Sequence, residues 1–239
     1  MSKQIGFDWR RVLGFASAGA AIAIGGAAAD ARAGGTDGWE GTQLTGWGNI
    51  DGGFPTPSPR VRSLAIGSND RFGILARYDG IVMCWGYNGY GQCNVPAGLA
   101  NVTAVAAGRD HNVALKGDGT VACWGSNNSG QCDVPAGLAP VTAVAAGQLH
   151  TVALKVDGTV ACWGYNGYGQ CDVPAGLGPV TAVAAGLDHT VALKVDATVA
   201  CWGDNDYGQC NVPAGLAPVI AVAGGGNHTV ALKIGRAHV

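Results

Sequence analysis

Charge is scarce in this chain: Asp, Glu, Lys and Arg together supply 13% of its 239 residues, with a net balance of −2. Nucleic-acid binding normally rests on a basic face, and this balance supplies none. Catalytic signatures are missing as well. There is no Gly-x-Ser-x-Gly, no His-Glu-x-x-His and no carboxylate pair set apart from the general pattern of the chain. The sequence therefore points away from an enzyme and names no cofactor. Helical periodicity is absent after the N-terminus, where an uncharged run extends from Val12 to Ala29.

What the chain has in abundance is glycine, at 41 residues, and an internal repeat. Cys84, Cys123, Cys162 and Cys201 recur every 39 residues, and each opens the phrase Cys-Trp-Gly-x-Asn-x-x-Gly-Gln-Cys. A fixed period of this size means that one supersecondary unit is copied and that stacked neighbours build a continuous core. Each unit reads as three short strands. In the copy starting at Val141 these are the small β-branched run 142–146, the alternating run 151–155 and the apolar run 159–163. Asp157-Gly158 between the last two is a hairpin signal, as are Asp79-Gly80 and Asp118-Gly119. Asp196-Ala197 breaks the rule, and predicts a different or weaker turn.

Small sheets repeated at about 40 residues favour radial packing, so the fold class is all-β, a β-propeller of short three-stranded blades. A β-solenoid is the rival, disfavoured by the hairpin inside each unit. The Val-Thr-Ala-Val-Ala-Ala-Gly strand suits the axis, where only small side chains fit.

The pattern Gly-x-x-His-x-x-Ala-Leu, Asp-Gly, Trp-Gly-x-Asn-x-x-Gly-Gln resembles the regulator of chromosome condensation repeat family over roughly residues 60 to 233. That resemblance implies a seven-bladed propeller. The unit length and the Gly-Gln-x-x-Val-Pro ending are similar to its short-bladed bacterial branch, which includes a secreted inhibitor of a β-lactamase. The chain departs from the family in its cysteines, in Phe72 where the first blade should carry His, and in a degenerate opening around Trp47-Gly48-Asn49.

The ends carry further expectations. Lys3, Arg10 and Arg11 precede the uncharged run, and Ala31-Arg32-Ala33 follows it, which reads as a secretory signal peptide over 1–33 rather than a membrane anchor. Arg10-Arg11 leaves twin-arginine export open beside the general route. Cleavage after Ala33 leaves ten basic and fourteen acidic residues, a net of −4, and a secreted, periplasmic or cell-surface monomer with no membrane span. Residues 34–59 read as a capping first repeat, and 234–239 as a non-native tail on a truncated seven-bladed ring. The alternative is a closed five-bladed ring in which Leu44 to Trp47 serves as the last third strand.

The cysteines fall into pairs nine apart: Cys84 with Cys93, Cys123 with Cys132, Cys162 with Cys171, and Cys201 with Cys210. One member ends a strand and the other follows a Gly-rich return, so a disulfide within each blade is predicted, each stabilising by about 2.5–3 kcal/mol at most. Zinc and cross-blade pairing are the rival readings. His111, His150, His189 and His228 are assigned a structural role against backbone groups of the adjoining blade rather than a metal ring. Trp85, Trp124, Trp163 and Trp202 are assigned to inter-blade packing, with the indole N–H on a carbonyl. Asn88, Asn127, Asn166 and Asn205 are expected to hold the loop. Gly86-x-x-Gly89-x-Gly91 lacks the following helix of a phosphate loop, and Asp204-Asn-Asp206 has Gly208 where calcium would want a third ligand.

Function should lie in what differs between copies. After Trp-Gly the loops read Tyr87-Asn-Gly-Tyr90, Ser126-Asn-Asn-Ser129, Tyr165-Asn-Gly-Tyr168 and Asp204-Asn-Asp206-Tyr207, the amphipathic chemistry of binding loops. A second variable set precedes the His: Arg109-Asp110, Gln148-Leu149, Leu187-Asp188 and Gly226-Asn227. The sequence thus predicts a secreted, non-enzymatic propeller that binds a protein or other macromolecule. The rival is a propeller that binds or processes cell-wall glycans at its axial mouth. Nucleotide exchange, known elsewhere in the family, is disfavoured by export.

Overall fold

The structure, a computed structural model, describes residues 61–216 and 218–233. The expected leader, the capping repeat with Trp47-Gly48-Asn49, the strand around Leu44 and the foreign-looking tail lie outside the described residues. Fourteen strands are described. Those of the first two units are β1 (Val61–Ile66), β2 (Phe72–Arg77), β3 (Val82–Gly86), β4 (Val102–Ala107), β5 (His111–Lys116) and β6 (Val121–Gly125). The next two units give β7 (Val141–Ala146), β8 (His150–Lys155), β9 (Val160–Gly164), β10 (Val180–Ala185), β11 (His189–Lys194) and β12 (Val199–Gly203), and the last contributes β13 (Val219–Gly224) and β14 (Thr229–Lys233).

Each unit folds into an antiparallel meander, giving four three-stranded blades and, last, the two-stranded sheet β13-β14. First strands of successive blades meet one another, β4 on β1, β7 on β4, β10 on β7 and β13 on β10, so the small-residue strand lines the axis. The core is therefore a series of inter-blade layers rather than one centre. One such layer joins Ala106, Val113 and Leu115 of the second blade to Val144, Ala153 and Trp163 of the third. Each first strand also carries a bulge. Val141 pairs with Lys155 and Ala143 with Leu154, leaving Thr142 between them to donate its Oγ1 to Leu154 O at 3.4 Å.

The Asp-Gly signals do form hairpins, by a route other than the two-residue turn. Gly158 N donates to Lys155 O and Lys155 N to Thr159 O, and Gly158 alone has positive φ, so the loop has three residues and ends in a bulge. Asp157 Oδ1 then accepts from Thr159 N and Oγ1 at 2.9 and 2.6 Å, and that bond holds its carboxyl below the usual carboxylate range. Ala197 does not change the turn. It takes φ +63° where Gly158 has +80°, and keeps the bond from its N to Lys194 O at 3.0 Å. A left-handed alanine costs about 1–2 kcal/mol, partly offset by its smaller chain entropy loss. Ala197→Gly is expected to stabilise the fold by about 0.5–1 kcal/mol, read as a higher urea midpoint. An unchanged or lower midpoint would refute the strain.

Candidate binding surface

Two backbone features fix the upper end of every blade. The loop between first and second strands returns at Gly-x-x-His, and the segment after Trp-Gly folds beside it. The amide after Trp-Gly donates to the carbonyl before the second strand in each case: Tyr87 N to Arg71 O, Ser126 N to Asp110 O, and Tyr165 N to Leu149 O at 2.8 Å, and Asp204 N to Asp188 O at 2.9 Å. The two variable sets of the sequence are thus adjacent strips of one face. The Asp-Gly hairpins lie at the opposite end of the blades.

The Trp-Gly-x-Asn loop is locked from within. Asn166 Oδ1 accepts from Cys171 N at 2.8 Å, and its Nδ2 donates to Asp172 Oδ1 at 2.7 Å. Buried Gln170 accepts from Tyr168 N at 3.0 Å through Oε1. Its own backbone carbonyl takes the Thr190 hydroxyl of the next blade at 2.8 Å. These buried glutamines, Gln92, Gln131, Gln170 and Gln209, were not singled out by sequence; their recurrence with the period was the available signal.

Disulfides join Cys84 to Cys93, Cys162 to Cys171 and Cys201 to Cys210, with Cα separations of 5.1, 5.0 and 4.9 Å. The fourth expected pair, Cys123 and Cys132, stands as two thiols facing each other. The Cys132 thiol, then burial, pushes the Cys123 thiol up.

The five tyrosines divide into two kinds. Tyr87 and Tyr165 lie across Gly89 and Gly167, with their hydroxyls where a Cβ would sit. They form edge-on pairs with Tyr90 and Tyr168, at 6.4 and 6.1 Å between centroids. Arg71 covers Tyr87 at 5.6 Å. Tyr90, Tyr168 and Tyr207 project, with 51, 54 and 74% of their surface exposed. The inner strip is a hydrogen-bonded chain. Asp110 takes Asn69 Nδ2 at 3.1 Å and Arg109 Nε at 3.5 Å, and the Gln148 amide bridges Arg109 Nη1 and Asp188 Oδ2 at 3.0 and 3.3 Å. Burial, then the neighbouring Asp204, raises the Asp188 carboxyl. Asp206 is exposed at the tip of the same loop. Arg71 also belongs to this surface, yet no periodic signal marks it, because it sits in a loop two residues longer than its counterparts.

The histidines meet a different partner from the expected backbone. His111, His150 and His189 are fully buried, and Nε2 faces the hydroxyl of Thr151, Thr190 and Thr229 in the next blade at 3.2, 3.2 and 3.0 Å. Each threonine gives its one hydrogen to a glutamine carbonyl at 2.8 Å, so the imidazole must donate from Nε2. Nδ1 is left bare and buried. His228 is exposed. Of the expected indole bonds, Trp124 Nε1 donates to Gln92 O at 2.9 Å, a carbonyl that also accepts from Asn112 Nδ2 at 2.6 Å, but those of Trp163 and Trp202 have no partner. Trp85 is partly exposed on the first blade. Among the described residues no three metal-ligating side chains converge, and no helix is long and apolar enough to cross a membrane.

Repeated short blades with varied loops gathered on one face define a propeller that presents loops. A model of the regulator of chromosome condensation (RCC1) repeat matches residues 61–92, 102–131, 141–170 and 180–209, and the chain belongs to this family. The yeast RCC1 protein Prp20, solved bound to Kap60, superposes with a TM-score of 0.64 at 18% identity, over 78% of this chain and 56% of that one. The CRINKLY ectodomain of the Arabidopsis thaliana receptor kinase ACR4 gives 0.59 at 25% identity, over 79 and 67%. Human WBSCR16 gives 0.55 at 21%, over 73 and 54%. The chain spans about half the length of the yeast and human proteins. No curated protein matches its sequence.

Proposed function

We propose that this protein is a secreted, non-enzymatic propeller that binds a protein partner through its Tyr-bearing loop face, as an inhibitor or scaffold of an extracytoplasmic protein. The observation that carries the reading is the juxtaposition of the two variable strips, which turns scattered differences between repeats into one contiguous surface. Tyr90, Tyr168 and Tyr207 supply exposed aromatic area on loops held rigid by Asn, Gln and disulfide bonds, so little ordering entropy is lost on binding. Three disulfides fit an oxidising compartment. The yeast relative was solved with a protein partner, which is an analogy of scaffold and not of partner.

The test is capture from the culture environment with the wild-type chain and with Tyr87, Tyr90, Tyr165, Tyr168 and Tyr207 all changed to Ala. The mutant should keep its β-sheet circular dichroism and lose the partner, with each central tyrosine contributing about 2 kcal/mol or more of affinity. Equal recovery by both proteins would move the binding surface to the opposite face or the axial mouth.

A further inference from the structure

Charge is handled differently at the two ends of the blades. At the hairpin end each turn aspartate is answered by the basic residue two positions before it, from Arg77 with Asp79 on the first blade to Lys194 with Asp196 on the fourth. On the loop face, the second and third blades use the carboxylates of Asp133 and Asp172 inside the loop, as acceptors for Asn127 and Asn166. Asp110 holds Arg109. The fourth blade departs from this pattern. Neutral Asn211 takes the locking position beside Asn205, and carboxylates stand instead at Asp204, where the first and third blades carry Tyr87 and Tyr165, and at Asp206, where they carry Gly89 and Gly167.

Asp188, Asp204 and Asp206 are thus negative groups that no cation of the described residues meets within ion-pair distance. The backbone holds them together: Asp204 N donates to Asp188 O at 2.9 Å, and Asp204 Oδ1 accepts from Asp206 N at 3.0 Å. Burial, and then the charge on Asp204, pushes the Asp188 carboxyl up, so the patch repels itself. His189 does not answer it, because burial holds that imidazole at about 4 even with Asp204 beside it. The exchange of Tyr for Asp also frees a ring. Tyr90 and Tyr168 each meet a second tyrosine edge-on, whereas among the described residues Tyr207 meets none. Among those residues no three carboxylates or imidazoles converge as a metal ion requires. An open aromatic face beside unanswered carboxylates suits a broader cation, an ammonium or guanidinium group, which gains from ring and charge together. We infer that the fourth blade is the cation-binding end of the loop face, taking a lysine or arginine side chain of a protein partner against Tyr207 with Asp204 and Asp206 as its counter-ions. Resting on the protein-binding reading above, this contact fixes how the partner is oriented, since its basic side must lie over the fourth blade.

Selection of a phage-displayed library of random peptides on the full chain tests the contact without a known partner. Lysine and arginine should be enriched at least about threefold in peptides held by the wild type, and this enrichment should vanish on the double variant Asp204→Asn, Asp206→Asn. Asparagine keeps the Oδ1 acceptor that the Asp206 amide needs, so the loop survives the change. The leading selected peptide, made synthetically, should bind the double variant about tenfold more weakly, and should lose about tenfold in affinity to the wild type between about 0.05 and 0.5 M salt. Asp118→Asn, at the hairpin end, should change neither result. No selected binder, no basic enrichment, or equal enrichment on the double variant would each overturn the assignment. The variant with all five loop tyrosines changed to Ala separates the two readings. Peptides lost by that variant but kept by the double variant would leave the tyrosine face standing and remove the cation contact, whereas peptides lost by the double variant alone would uphold the carboxylates and remove the tyrosine face.

Discussion

Gly147→Ala should destabilise the fold by about 3 kcal/mol, among the larger losses expected from adding one methyl group. A Cβ at Gly147 would fall inside the His150 ring and within 2.6 Å of Gly186 O in the next blade. Neither neighbour can retreat. The imidazole is pinned to Thr190 and the carbonyl belongs to the following Gly-x-x-His loop. Gly226→Ala is the control, because its Cβ would meet only Leu187 at 3.7 Å in an ordinary conformation. Urea unfolding of both variants checks the claim. A Gly147→Ala midpoint as high as that of the control would show that the Gly-x-x-His spacing has another cause.

Acid should open the interfaces between blades. Burial lowers His111 and His189 to about 4, and burial together with the neighbouring His111 and His189 lowers His150 to about 3. An unfolded histidine takes its proton near 6.5, so the unfolded chain binds more protons and stability rises with pH. The contribution of each neutral histidine is complete above about 6.5 and is lost as pH falls from there to about 4. Each carries on the order of 3 kcal/mol, so the three together are comparable to the net stability of a domain. The geometry gives the same sign, because a proton at Nδ1 would be buried without an acceptor. Urea midpoints measured from pH 7 to 4 should fall steeply, and His150→Gln should flatten the slope. A profile level down to pH 4.5 would contradict the neutral, Nε2-protonated assignment.

The parts of the molecule legible in the sequence are those governed by near neighbours along the chain. Small β-branched runs gave the strands, Asp-Gly located the hairpins, and the nine-residue Cys spacing found the pairs that three blades bridge. Local rules failed where the third dimension adds a partner. The Asp-Gly turn took a bulge, because only Gly158 needed positive φ, and Ala197 was held in the same geometry by the strands on either side. The tyrosines looked equivalent, yet Tyr87 and Tyr165 rest on glycines while Tyr90, Tyr168 and Tyr207 face solvent.

By itself the sequence determined the repeat, the strands, their turns and the blade, since each depends on alternation and turn chemistry within one unit of 39 residues. Only the tertiary structure decided what the conserved-looking phrase of each unit touches. His111 meets Thr151, His150 meets Thr190 and His189 meets Thr229, each 40 positions on, one residue past the period. A periodic sequence shows that such groups recur but not which copy they face. Stacking supplies that answer, because the histidine Nε2 of one blade meets its threonine, and the tryptophan of the next is buried, only when two blades come together.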